Sequence, residues 1–136
     1  MMHMKGNPKT MQQQTAYTDV TKEVIAYFAE RIAAAHQEKI NDIIIDPGFG
    51  FAKTVDQNFE LLNQLELLQL TDKPILAGVS RKSMIYKTLN STSENALNGT
   101  TALHMVTLQK GAKILRAHDV KEAMECVTLY NQLKSN

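Results

Sequence analysis

The chain predicts an α/β fold, a parallel sheet in which each strand is followed by a helix, four times over in 136 residues. Three observations carry this. Short apolar runs alternate with longer stretches of helical periodicity, and that alternation builds a parallel sheet with helices laid on it. Strand starts fall near residues 1, 43, 75 and 113, a spacing of about 32 to 42 residues that suits βαβ units. The run Ile43-Ile44-Ile45 has no polar alternation, as in strands buried on both faces.

Met1 to Met4 read as the end of a strand, and residues 5–18 as a polar loop holding Gly6, Pro8 and four Gln or Asn residues. Asp19 is placed to cap a helix over 19–38, whose apolar stripe is Val20, Val24, Phe28, Ile32 and Ala35. After the strand 43–45 and a loop over 46–56, Asp56 is expected to cap a second helix carrying Phe59, Leu62, Leu65 and Leu68 or Leu70. PILAGV, residues 74–79, is the third strand, and SRKSMIYKTL, residues 80–89, runs from a loop into a short helix. Ser93 is expected to cap a helix over 94–110 that stops near Gly111. AKILRAH, residues 112–118, is the fourth strand. Asp119 is expected to cap the last helix, with Val120, Ala123, Met124, Val127 and Tyr130 turned to the core.

The chain is long enough for one domain, 1–136, with a core of its own. Lys plus Arg is 15 against 14 for Asp plus Glu, so no overall charge draws the chain to nucleic acid or to an acidic membrane, and any anion site must be local. Cys126 is the only cysteine, which excludes an internal disulfide and suits a reducing, cytoplasmic setting. It reads as a small buried apolar residue. No apolar run approaches the roughly 20 residues that span a bilayer. The opening MMHMKGNPKT lacks the apolar stretch of a signal peptide and is an odd start for a domain, so further chain is expected ahead of it in a parent protein.

Eight such units closed into a barrel need about 250 residues, and four are half of that. A small open, doubly wound sheet is the alternative, and spacing does not choose between them. In either case ligands bind at the carboxyl ends of the strands, where the chemistry-bearing residues gather: Met2-His3-Met4, Asp46, Gly78 with Ser80-Arg81-Lys82-Ser83, and Arg116, His118 and Asp119. The loops at the opposite end look like plain connections.

Asp46 ends a buried strand, where an unpaired acid is costly. It is either a turn residue ahead of Pro47-Gly48 or a carboxylate taking two parallel hydrogen bonds from a flat polar ligand, with Phe49 and Phe51 as aromatic contacts. SRKS is either an anion site ahead of a helix or a solvated basic turn. Arg116 and His118, two apart on a strand, point the same way and either grip a phosphate or pair with a carboxylate. His36 and His104 are read as structural, and His3 as a support under the site. No zinc-ligand spacing, GxGxxG or P-loop is present.

MHMKGNPKTMQ, IIIDPGFGFAKT, GVSRKSMI and ILRAHDV, in that order, resemble the bacterial dihydropteroate synthase family, and the resemblance covers essentially the whole chain. It implies a TIM (β/α)8 barrel, of which this chain holds the last four βα units. It implies a transferase of folate biosynthesis, a sulfonamide target. The reaction joins 4-aminobenzoate to (7,8-dihydropterin-6-yl)methyl diphosphate, giving dihydropteroate and diphosphate. Carried over, Met2, Asp46, Gly78 and Lys82 bind the pterin, while Phe51 and Ser83 meet the 4-aminobenzoate. Arg116 and His118 hold the diphosphate, with Mg2+ assisting. Lys82, Arg116 and His118 are the catalytic set. The family is homodimeric through helices late in the barrel, and self-association is expected here.

The chain departs from the family pattern at Ala52 and Tyr86, where glycine is usual, and lacks four strands with two mobile loops, so the isolated half is expected to be inactive. Two rival readings are a non-catalytic half-barrel assembly module and a pterin-binding methyltransferase domain. The second would share the acid-and-glycine loop but has no use for a diphosphate grip.

Overall fold

Four extended segments lie side by side, parallel and in chain order. In this computed structural model, which describes residues 1–7, 9–11 and 14–135, Met2 bridges to Asp46 and Ile45 to Ile75. Regular strands are short: β1 (Leu76–Ala77) pairs in parallel with β2 (Ile114–Leu115). Backbone bonds extend the pairing beyond them, from His3 N to Asp46 O at 2.9 Å, Leu76 N to Ile45 O at 2.8 Å and Arg116 N to Ala77 O at 3.0 Å. Pro8, Gln12 and Gln13 of the expected polar loop lie outside the described residues.

Helix α1 (Val20–Gln37) starts where Asp19 accepts from Lys22 N at 2.9 Å. It buries Val20, Val24, Phe28, Ile32 and Ala35, the stripe read from the sequence. Its partners include Ile43, Ile45, Ile75, Ala77 and Val79 of the strands. Burying a side chain the size of Phe28 or Ile45 contributes about 1.5–3 kcal/mol. The alternation along the strands decides the architecture. Ile43 and Ile45 are 7% and 0% exposed, whereas Ile44 between them is 43% exposed. Ile75 and Ala77 are buried and Leu76 only half-buried. Helices therefore cover one face of the sheet, the arrangement of a barrel segment rather than of a doubly wound sheet, and Ile44 is not buried as expected.

Helix α2 (Val55–Asn63) is capped by Thr54, not Asp56. Thr54 Oγ1 accepts from Gln57 N at 3.2 Å while Gln57 Oε1 accepts from Thr54 N at 2.9 Å, a reciprocal pair that satisfies two helix-end donors. The expected single second helix breaks at Gln64 into a 3-10 helix, Leu65–Thr71. The tighter three-residue repeat turns Leu65 and Leu68 inward together and leaves Leu70 78% exposed.

After α3 (Ser83–Thr88), α4 (Leu97–Gln109) begins three residues later than expected and has no side-chain cap. The carbonyls of Ser93 and Glu94 are taken by the Arg81 guanidinium at 2.9 and 2.7 Å. The Ser93 hydroxyl donates to Glu94 Oε1. In α5 (Val120–Lys134), Ala123 and Cys126 are buried, while Val120 and Met124, expected in the core, are 64% and 59% exposed. α5 rests on α4 through its small residues, with the Cys126 Sγ 3.6 Å from Thr101 O, so its larger apolar side chains, Leu129 and Leu133 among them, flank that contact and stay exposed. Asp119 caps nothing with its side chain. No helix among the described residues is long and apolar enough to cross a membrane.

Candidate functional site

The loop after the second extended segment is folded around a buried ammonium. Lys53 is 4% exposed. Its Nζ bonds to three acceptors, His3 Nδ1 at 3.0 Å, Gly48 O at 3.1 Å and Phe51 O at 3.1 Å. Burial lowers its pKa to about 7, with the charge of Lys82 adding to the fall and that of Asp46 opposing it. Burial and then the charge of Lys53 likewise hold His3 down at about 4, so its ring is neutral and free to accept. Sequence reading passed over Lys53. The signal available was its place at the end of a glycine-rich turn whose carbonyls need a donor. His3 is the support residue it was taken for, with its ring edge-on to Tyr27 at 5.0 Å between centroids.

Gly48 explains the tightness of the turn. Its φ is +70°, and a Cβ there would stand 2.0 Å from His3 O, so only glycine fits. Ala52, at φ +52° and fully buried, occupies the same left-handed region without that freedom. This fits the glycine usual there in the resembling family.

Asp46 is 5% exposed. Its Oδ1 accepts from Gly48 N at 2.8 Å, the turn role weighed in the sequence. Its Oδ2 lies 2.8 Å from Arg116 Nη1 yet receives no aligned hydrogen bond. The carboxylate thus keeps one buried oxygen with acceptor capacity to spare, which a buried acid retains only at a cost. Lys82 stands beside it, its Nζ donating to Phe49 O and lying 4.5 Å from the centre of the Phe51 ring. Burial lowers the Lys82 pKa to about 8, the Arg116 charge adding to the fall while Asp46 pulls the other way. Of the two phenylalanines, Phe51 is half-buried at the site, whereas Phe49 is fully buried in the core and offers no ligand contact.

Arg116 reaches back across Gly78, where a Cβ would meet its Nη2 at 2.6 Å. The bare backbone of Gly78 is what lets the guanidinium lie there. Gly78, Ser80, Lys82, Arg116, Ala117 and His118 line a hollow of about 140 Å3. Arg116 and His118 do line one site, and Arg116 also makes the carboxylate pairing weighed against a phosphate grip. Met2 reaches the same strand end through its bridge to Asp46. Ser83 begins α3, with Lys82 as the preceding cap residue. Arg81 is not a free cation of the SRKS turn. Its Nε and Nη2 each lie 2.8 Å from the Asp119 carboxylate, and this pair holds the Asp119 pKa below its usual range.

Half of a (β/α)8 barrel, with an acid, a lysine and an arginine converging at the carboxyl ends of its strands, is the class of fold these observations define. The sequence profile described as pterin binding enzyme matches residues 1–118, and the chain belongs to that family. The dihydropteroate synthase of Escherichia coli (strain K12) is 44% identical over 129 residues, which are 93% of this chain and 46% of that enzyme. The Yersinia pestis dihydropteroate synthase, solved as a sulfonamide drug complex, superposes with a TM-score of 0.95 at 35% identity, over 99% of this chain and 50% of its own. The Thermus thermophilus enzyme in complex with 4-aminobenzoate gives 0.93 at 32% identity, over 98% and 56%. The chain thus spans about half the length of the relatives it matches.

Proposed function

We propose that this chain supplies the pterin-binding half of a dihydropteroate synthase, acting when a complete barrel surrounds it. The buried Asp46 carboxylate, whose Oδ2 lies 2.8 Å from Arg116 Nη1 and takes no hydrogen bond, carries the reading. A carboxylate so placed suits the amino and ring N–H donors on one edge of a pterin. Lys82 meets the same ring, and Met2 and Gly78 border it.

The reaction needs no side-chain nucleophile. The C–O bond to the diphosphate breaks with its electron pair leaving on oxygen, the arylamine nitrogen forms the new C–N bond, and the amine gives up a proton. Arg116, His118 and Lys82 line the hollow where the leaving charge would grow, and fixed cations and N–H donors at that place stabilise it as it develops. At neutral pH Lys82 still carries its proton, since its pKa of about 8 lies above. Phe51 and the Ser83 hydroxyl are assigned to the 4-aminobenzoate, the ligand of the Thermus thermophilus complex. The described residues hold no group of three or more Asp, Glu, His or Cys side chains suited to a metal. The mouth of the site is cationic and does not fit Mg2+, so a magnesium ion would arrive only on the diphosphate oxygens.

The exposed apolar side chains Val120, Met124, Leu129 and Leu133 of α5 support self-association or closure by further barrel strands, and a sizing column separates a dimer from a monomer. A cytoplasmic location belongs to the same reading. The deciding experiment is calorimetric titration of the chain with the dihydropterin diphosphate, repeated with Asp46→Ala. Micromolar binding, about −8 kcal/mol, lost in Asp46→Ala supports the assignment. Binding that survives Asp46→Ala overturns it.

A further inference from the structure

One residue of the SRKS turn is neither solvent-facing nor part of the roles assigned above. Ser80 is 3% exposed, and its hydroxyl touches a single residue twice. Ser80 Oγ accepts from the His118 backbone N at 3.1 Å and lies 2.9 Å from the His118 ring Nδ1. A backbone N–H can only donate, so the oxygen is the acceptor there. The hydroxyl proton is then left to find an acceptor, and Nδ1 is the one within reach. The reverse sense, Nδ1–H donating to Ser80, would strand a buried hydroxyl proton with no acceptor among the described residues, which is costly. A neutral imidazole that accepts at Nδ1 carries its proton on Nε2.

The neighbouring residues repeat the link. Arg81 binds both Asp119 oxygens at 2.8 Å and is held in turn by the Thr100 hydroxyl, which accepts from its backbone N at 3.0 Å. Residues 80 and 81 of one strand-end loop therefore grip residues 118 and 119 of the next. His118 is exposed, and the Ser80 hydroxyl is placed to orient its ring.

We propose that Ser80 is a positioning residue, its buried hydroxyl holding the His118 ring by Nδ1 so that Nε2–H is presented as a fixed donor to the anion in the hollow shared with Lys82 and Arg116. This rests on the reading of that hollow as the diphosphate end of the site. Free rotation of an exposed ring would otherwise have to be frozen at each binding event, and a donor held in place beforehand avoids that loss.

The test is made on the full chain with Ser80→Ala, and with Ser80→Cys, close in volume, should the alanine variant fail to fold. The His118 ring is followed by long-range proton–nitrogen NMR, assigned through loss of the signal in His118→Gln. Calorimetry then measures inorganic diphosphate and a phosphate-free hydroxymethylpterin separately. The expected result is a wild-type ring with its proton on Nε2 and Nδ1 hydrogen-bonded, a signature lost in Ser80→Ala. Diphosphate affinity should fall about tenfold, the worth of one well-placed hydrogen bond to an anion, while pterin affinity stays unchanged. Equal losses for both ligands would reduce Ser80 to a general structural role and overturn the proposal, as would an unaltered ring signature. If the wild-type chain binds neither ligand, the reading of this half as a binding site fails, and the ring signature alone still decides whether Ser80 sets the imidazole.

Discussion

The loop Asp46–Lys53 and the turn Arg116–Asp119 stand at the same end of the sheet and are held by different physics. The first is folded inward. Lys53, Asp46 and Ala52 are all buried, its bonds run between backbone carbonyls and a buried ammonium, and Gly48 makes its path the only one open. The second faces solvent. Arg116 and His118 are exposed, and what fixes them are side-chain contacts, from Asp46 to Arg116, from Ser80 to His118 and from Arg81 to Asp119. On the proposed function, a ring enters the first region and a charged tail the second. Shape recognition of a ring needs a buried wall, whereas charge neutralisation of a tail needs cations that solvent-borne anions can reach. The Asp46 loop should therefore answer to folding stability and the Arg116 turn to ligand charge.

That contrast is sharpest at Gly48. Gly48→Ala sets a methyl group 2.0 Å from His3 O at a φ of +70°, and chemical denaturation should record a loss of about 3 kcal/mol or more, enough to unfold a marginal chain. Lys53→Met comes next. It leaves Gly48 O, Phe51 O and His3 Nδ1 without their donor, for a loss of about 1–3 kcal/mol.

The same variant changes the pH response. Folded Lys53 has a pKa of about 7 against 10.5 in the open chain. Between those values the unfolded chain binds the proton that the folded one has released. Wild-type stability should thus rise from pH 7 toward 10.5 through this group, with the burial penalty present in full below 7. Lys53→Met should lose that part of the slope and keep the smaller part from Lys82, which begins near 8. On the acid side His3, at about 4 folded and 6.5 unfolded, should withdraw stability as the pH falls from 6.5 to 4. Denaturation curves at stepped pH check both limbs.

Ala52→Gly has the opposite sign. Relief of the left-handed strain at φ +52° should offset glycine's greater unfolded entropy and raise stability by up to about 1 kcal/mol. The smallest effect on folding belongs to the other region. Arg116→Met should cost less stability than Lys53→Met, because Lys82 still faces the buried Asp46 carboxylate, while weakening diphosphate-bearing ligands about tenfold. If Arg116→Met destabilises the chain as much as Lys53→Met does, the two regions are not different in kind.

What the sequence determined by itself was whatever depends on neighbours along the chain. Periodicity placed α1 and its buried stripe, since the apolar residues recur every turn. Glycines and a proline after Ile45 marked the sharp loop, and four clusters of chemistry-bearing residues were placed at one end of the sheet. Which cap would win at α2 was a local question read wrongly, because the reciprocal pair Thr54 and Gln57 outcompetes a lone Asp56. The rest was settled by contacts between residues far apart in the chain. Asp119 was expected to cap α5, but Arg81, 38 residues away, claims both its oxygens. Val120 and Met124 looked like core residues until the small side chains of α5 were set against α4. Lys53 gave only the hint of its place after a glycine-rich turn, because the three acceptors that hold it come from the first extended segment and from both limbs of that turn. Composition and periodicity record what a residue prefers, and only the folded chain decides which partner stands close enough to satisfy it.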